Sequence, residues 1–164
     1  MNLNPLPLAA AAALMLSPAL ALAEEFPLQV TVEAVVPSPT GLQISPVGDW
    51  AGRTQPMRWN LSTQRLDPIQ QQIDMKSGLG AIEAYLSTDA LLTSAANSIA
   101  LTVTVAGKVL AVGAANKAEV ASSIEAAASK RVDVTIAAAA PTGPGYAQGN
   151  YQGNVFMMFE SVAP

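Results

Sequence analysis

The chain has no cysteine and no histidine in 164 residues. Their absence excludes a Ser-His-Asp triad, a cysteine nucleophile and the usual zinc ligand sets. A chain without cysteine also has no disulfides, so its stability must come from packing or from partners. Charge is scarce as well. Charged residues make up 12%, and a net charge of -4 with a pI near 4.6 leaves no cluster of Lys and Arg for phosphates, which argues against a nucleic-acid partner. No GxGxxG, P-loop or EF-hand spacing occurs. The stretch "GPGYAQGNYQG" has the glycines but neither the Lys-Ser/Thr pair nor the strand-to-helix setting of a phosphate cradle.

The acidic side chains do not repair this lack of chemistry. Glu33, Asp49, Asp67, Asp74, Glu83, Asp89, Glu119, Glu125, Asp133 and Glu160 are scattered singly, and nothing in their spacing sets two of them in a cleft as glycosidase chemistry requires. They are read as solvated surface groups. No catalytic residue, metal ligand set or cofactor site is expected.

Long apolar runs are missing after residue 23, and no later stretch approaches a membrane-spanning length. The run "LAAAAALMLSPALAL" within Met1–Ala23 is short, is broken by Pro18 and ends in the small-residue motif Ala21-Leu22-Ala23. Residues 1–23 therefore read as a secretory signal peptide cleaved between Ala23 and Glu24, although the first eight residues carry no Lys or Arg. Removing 23 of 164 residues leaves 141, enough for one domain with a sizeable core.

What the chain does contain is alternation. In "EEFPLQVTVEAVVP", residues 24–37, the apolar residues Phe26, Leu28, Val30, Val32, Ala34 and Val36 fall on every second position, the pattern of a strand with one buried face. Periodicity leaves open whether this is the first strand of its own sandwich or one that pairs elsewhere. Further short strands follow. "GLQISP" alternates Leu42 and Ile44, "MRWNLS" alternates Met57, Trp59 and Leu61, and "IQQQIDM" puts Ile69, Ile73 and Met75 in phase with Gln71 on their face. "AIEAYLS" places Ile82, Ala84 and Leu86 on one side. "SIALTVTVAGKVLAV" turns Ile99, Leu101, Val103 and Val105 one way and Thr102 and Thr104 the other, before a tight turn at Ala106-Gly107-Lys108 into Val109 to Val112. "RVDVTIA" repeats the pattern with Val132, Val134 and Ile136, and a final strand, "NYQGNVFMMFESVA", carries Tyr151, Val155, Met157 and Phe159 on one face. Pro and Gly clusters separate these runs, which is the layout of an all-β sandwich. The segment "NKAEVASSIEAAASK" is either a helix capped by Asn116 and Glu119, with Val120, Ile124 and Ala128 spaced by four, or a low-complexity surface loop.

Taken together, the leader, the alternating N-terminal strand ending in Pro, the middle "SIALTVTVAGKVL" and the closing "APTGPGYAQGNYQGNVFMMFES" resemble the major pilin subunits of the colonisation factor antigen I type, the alpha class of chaperone-usher fimbriae. The resemblance spans essentially the whole chain after the leader. It is most specific in the N-terminal strand and in Gly149, Asn150, Tyr151, Gly153 and Val155, and the lack of Cys agrees with it.

The resemblance implies an incomplete immunoglobulin-like β-sandwich over residues 38–164, completed by a donor strand, residues 24–37, from the neighbouring subunit. Phe26, Leu28, Val30, Val32, Ala34 and Val36 would then fill the neighbour's groove, and Tyr151, Val155, Met157 and Phe159 would line the groove and face the chaperone. It also implies a homopolymer of identical subunits on the cell surface, a periplasmic chaperone, an outer-membrane usher and a minor tip adhesin. Two other classes stay open. A secreted carbohydrate-binding module would use Trp50, Trp59 or Tyr85 as sugar platforms, and an exported enzyme would need a deep pocket with converging carboxylates.

Overall fold

Alternation is what drives these segments into sheets, because a strand turns successive side chains to opposite faces and one face can then be buried. A computed structural model describes residues 41–95, 97–141 and 145–163, all within the unit that runs from Val35 to Pro164. The longest strands are those with the cleanest alternation. In chain order the main ones are β1 (Gln43–Pro46), β4 (Ile69–Lys76), β5 (Ala81–Leu86), β7 (Asn97–Val105), β10 (Lys130–Ala138) and β11 (Met157–Val162). The shorter ones are β2 (Trp59–Asn60), β3 (Arg65–Leu66), β6 (Leu91–Ser94), β8 (Lys108–Val109) and β9 (Ala118–Ala121).

Two main antiparallel sheets result, with β2 and β3 forming a separate two-stranded hairpin. One has the order β1-β4-β10-β7-β6, with β8 also on β7, and the other the order β11-β5-β9. The inner face of the first carries Ile73, Met75, Val103, Val105, Val132 and Val134, that of the second Ile82, Ala84, Leu86, Val120 and Ala121, and these form one buried core. Register makes the match: Val134 stands opposite Val105, and Val132 opposite Ile73. A seven-stranded immunoglobulin sandwich packs strands A, B, E and D against C, F and G. Here β1, β4, β5, β7, β10 and β11 take the A to F positions in chain order, and among the described residues no strand occupies the G position beside β11.

Several expectations need correction. The segment from Asn116 is neither one helix nor a loop. Ala114–Asn116 is a 3-10 turn, Ala118–Ala121 is β9 paired with β5, and the helix α1 covers only Ser123–Ala128. Pairing with β5, with a register shift beside Ile82, carries both Val120 and Ala121 into the core. The capping box is real but starts six residues later. Ser122 Oγ accepts from Glu125 N at 3.4 Å and the Glu125 carboxylate accepts from Ser122 N at 2.9 Å.

In "MRWNLS" only Trp59 and Asn60 form a strand, in a hairpin with β3, and Trp59 and Leu61 are exposed rather than turned to a core. After the turn at Ala106 and Gly107, β8 holds two residues. Leu110 then plunges into the core and the chain crosses to the other sheet, where Leu86 N donates to Ala111 O at 2.9 Å and Gly113 N to Leu86 O at 2.9 Å. The last strand begins at Met157, not near Asn150. The strands β3, β6 and β9 had no alternation long enough to announce them.

The stretch before β11 has its own job. Thr93 N donates to Gln152 O at 2.8 Å and Gln152 N to Thr93 O at 3.0 Å, so this segment covers the edge of β6. Gly153 is required by the close approach, because a Cβ there would run into the Leu91 carbonyl. Gly153→Ala should therefore lower stability by about 1–3 kcal/mol, as overpacking does, read as a fall in unfolding midpoint; an unchanged midpoint would refute the close approach.

The α1 cap also predicts an acid signature. The Lys130 ammonium and the Ser122 donors hold the Glu125 carboxyl down at about 2 from an ordinary 4.5. A depressed carboxylate stabilises fully above its unfolded value and loses that contribution as pH falls through its folded one. Ser122→Ala should flatten the fall in melting temperature between about pH 4.5 and 2 relative to the unsubstituted protein. Parallel curves for the two proteins would show that the cap does not couple to this titration.

Candidate functional site at the open sheet edge

Strand β5 has neighbours on both sides and its inward residues are sealed: Ile82 and Ala84 are 0% exposed and Leu86 is 4%. Strand β11 runs antiparallel to it, with Met157 opposite Leu86, Phe159 opposite Ala84 and Ser161 opposite Ile82. Met157 and Phe159 pack against the core on the same inward face yet stay only half-buried, as does Val155 just before the strand. Among the described residues β11 pairs with β5 alone. The cover of the core thus ends at β11, where apolar side chains lie beside a strand with one partner. Half-buried Leu42 and Ile44, at and just before β1, pack on the same core.

Tyr151, the fourth residue expected here, stands apart. It lies six residues before β11, half-buried, with its hydroxyl donating to Ala147 O at 2.9 Å. Gly149, Asn150, Tyr151 and Gly153 belong to the segment that covers β6. The expected donor residues Phe26, Leu28, Val30, Val32, Ala34 and Val36 lie outside the described residues, as does the expected leader.

The far end of β11 is anchored by polar groups. Ser77 is buried, and its hydroxyl shares a hydrogen bond of 2.6 Å with that of Ser161 and accepts from Leu79 N at 3.1 Å. On the outer face of the same sheet Glu160, Glu83 and Glu119 are register neighbours across β11, β5 and β9. Like charges so placed repel, and Lys117 sits among them, ion-paired with Glu160. The hydrogen bond to Lys117 lowers the Glu160 carboxyl below its ordinary value and raises the Lys117 ammonium. The outer face of β11 thus carries Glu160 between the exposed Met158 and Val162, and the inner face is apolar and incompletely covered.

The aromatic residues that a sugar platform would gather are dispersed. Trp50 packs on the core with its indole N–H donating to Gln72 O at 3.1 Å, Trp59 stands on the β2–β3 hairpin edge-on to Tyr146 at 6.1 Å, and Tyr85 is on β5. Several surface carboxylates are tied to cations: Asp74 accepts two bonds of 2.8 Å from Arg131, and Glu125 pairs with Lys130 at 2.7 Å. A shallow depression of about 400 Å³ between Val47, Gln70, Gln71, Gln72 and Thr135 brings in one carboxylate, Asp133. Sequence reasoning missed Leu42 and Ile44 as edge residues. Their alternation marked a strand, but only the pairing of β1 with β4 puts them at the rim of the sandwich.

Known proteins agree with this architecture. The structure of the CooA pilin subunit from enterotoxigenic Escherichia coli superposes with a TM-score of 0.54 at 18% identity, over 71% of this chain and 86% of that one. At that identity the likeness establishes the fold. No curated protein matches the chain at a significant level. The family model for the CS1 type fimbrial major subunit matches residues 27–160, most of the sequence and all but a few residues of the sandwich. A sandwich with an open edge at β11 and a family match of that extent lead to one conclusion: the chain belongs to the CS1 type fimbrial major subunits, structural proteins of fimbriae at the cell surface.

Proposed function

We propose that this subunit polymerises by donor-strand exchange, with residues 26–36 of one copy filling the G position beside β11 of the next. Chaperone-pilin complementation is a known form of β-strand addition, in which main-chain hydrogen bonds supply affinity and alternate side chains supply specificity. The observation that carries the proposal is the graded cover of the core, sealed at β5 and half-open at Met157 and Phe159 on β11.

The donor sequence has the complementary chemistry. Six apolar residues on one face, Phe26 to Val36, contribute about 10 kcal/mol gross if largely buried, before ordering costs reduce it. A slip of one residue would turn Gln29, Thr31 and Glu33 inward. Burying the Glu33 carboxylate unpaired costs several kcal/mol, so Glu33 guards the register. Pro37 and Pro39 cannot donate ladder hydrogen bonds and end the strand.

In this scheme residues 1–23 are a cleaved leader, 24–37 the donor strand and 38–164 the pilin domain. A periplasmic chaperone first occupies the edge of β11, contacting Val155, Met157 and Phe159, with Tyr151 at the margin. An outer-membrane usher then replaces the chaperone strand by the donor strand, and a minor tip adhesin caps the fibre. The subunit's role is structural, without catalysis.

Deletion of residues 24–36 from the secreted form should leave a subunit that co-purifies with its chaperone but forms no fibres, scored by electron microscopy of negatively stained cells. Undiminished fibres would mean that polymerisation uses some other contact.

A further inference from the structure

The path of the chain says which ends of two subunits must meet. Strand β4 runs from the β2–β3 hairpin, at one pole of the sandwich, to the 77–80 loop at the other. That second pole also holds α1, since Ser77 N donates to Ala126 O at 3.0 Å. Gln43 pairs with Lys76, so β1 enters the domain at the α1 pole, and any segment preceding Gly41 leaves from there. Strand β11 also ends at the α1 pole, with Val162 opposite Ala81.

A strand added antiparallel to β11 therefore starts at the α1 pole and finishes at the hairpin pole of the acceptor. Antiparallel addition extends the ladders that build both sheets. Parallel addition would bring the α1 pole of one copy to the α1 pole of the next, so that each such pole would have to serve two neighbours. Only a contact between different surfaces propagates without limit.

Between Val36, the last apolar donor residue, and Gly41 lie four residues, Pro37, Ser38, Pro39 and Thr40. Five extended steps span at most about 18 Å, so the two poles are held close. The most exposed large apolar side chains of the described residues stand at these poles: Ile124 on α1 at 83% and Leu61 on the hairpin at 82%. Leu79 accompanies Ile124 and Trp59 accompanies Leu61, at 52% and 47%. Single exposed apolar residues are ordinary, and Val109 and Phe156 are exposed at 62% and 55%. But the two most exposed, Ile124 and Leu61, stand at the two surfaces that a short link brings together, each with a second apolar neighbour on its own element or adjoining loop.

Resting on donor-strand assembly as proposed above, we infer that the α1 pole of each subunit, through Ile124 and Leu79, packs against the β2–β3 hairpin of the acceptor subunit, through Leu61 and Trp59. The occupant of each patch is a second copy of this chain, and the contact is distinct from the groove.

The cysteine-free chain permits a clean test. Fibres assembled by the native machinery from the full chain carrying both Ile124→Cys and Leu61→Cys, treated with a short bismaleimide, should give a ladder of covalent multimers after denaturation. Either single variant should stay monomeric. Fibres of the double variant that yield no ladder would overturn the inference, as would dimers from Ile124→Cys alone, which would mean that the α1 pole meets itself. Hydroxyl-radical labelling of unsubstituted fibres needs no variant: Trp59 oxidation should fall several-fold relative to the dissociated subunit. Phe26 protected with Trp59 unprotected would remove the pole contact and leave donor-strand exchange standing, whereas fibres formed without residues 24–36 would remove donor-strand exchange itself.

Discussion

A strand at the rim of a sandwich presents backbone donors and acceptors on one side and, when it also roofs a core, apolar side chains beneath. In β11 these two demands coincide. Met157 and Phe159 belong to the core by contact but not by cover, while Ile82 and Ala84 on the neighbouring strand are fully sealed. A self-contained seven-stranded sandwich meets both demands with a G strand. Under the donor-strand assembly proposed above, the same unmet demand would be the driving force for joining one copy to the next.

Other edges are managed differently. The segment around Gln152 pairs with Thr93 and lies so close to Leu91 that residue 153 has no room for a side chain, which covers β6. The end of β11 is held by the Ser77–Ser161 hydrogen bond, and a Cβ at Gly80 would collide with the Val162 carbonyl, so the 77–80 loop fits tightly around the strand's last residues. With no disulfide available, rigidity at the edge comes from such close packing and from a core of small aliphatic side chains in matched register. The ion pairs stay on the surface, where they contribute little.

The inward faces of β4, β5, β7 and β10 are legible in the sequence, since Ile73, Ile82, Ala84, Leu86, Val103, Val105, Val132 and Val134 all lie on the faces that alternation predicts. Met157 and Phe159 are legible in the same way as members of one face. Segments with competing signals are not. Ala-rich composition and a spacing of four suggest a helix from Asn116, but Ala118–Ala121 finds a partner in β5, and tertiary pairing outweighs a propensity difference of a few tenths of a kcal/mol per residue. Ser122 and Glu125 hold the true capping signature in plain view. Trp59 and Leu61 alternate like core residues and project from a hairpin instead.

By itself the sequence determined the all-β class, the inward face of each long strand and the absence of the cysteine and histidine that thiol, triad and common zinc sites use, because side-chain alternation and residue inventory are local properties. Only the tertiary structure decided which strands are neighbours, that β1 and β11 lie at the rims, and that among the described residues no strand stands at the G position. Strand pairing joins residues far apart in the chain, and whether an edge is closed depends on what stands beside it, which no local pattern records.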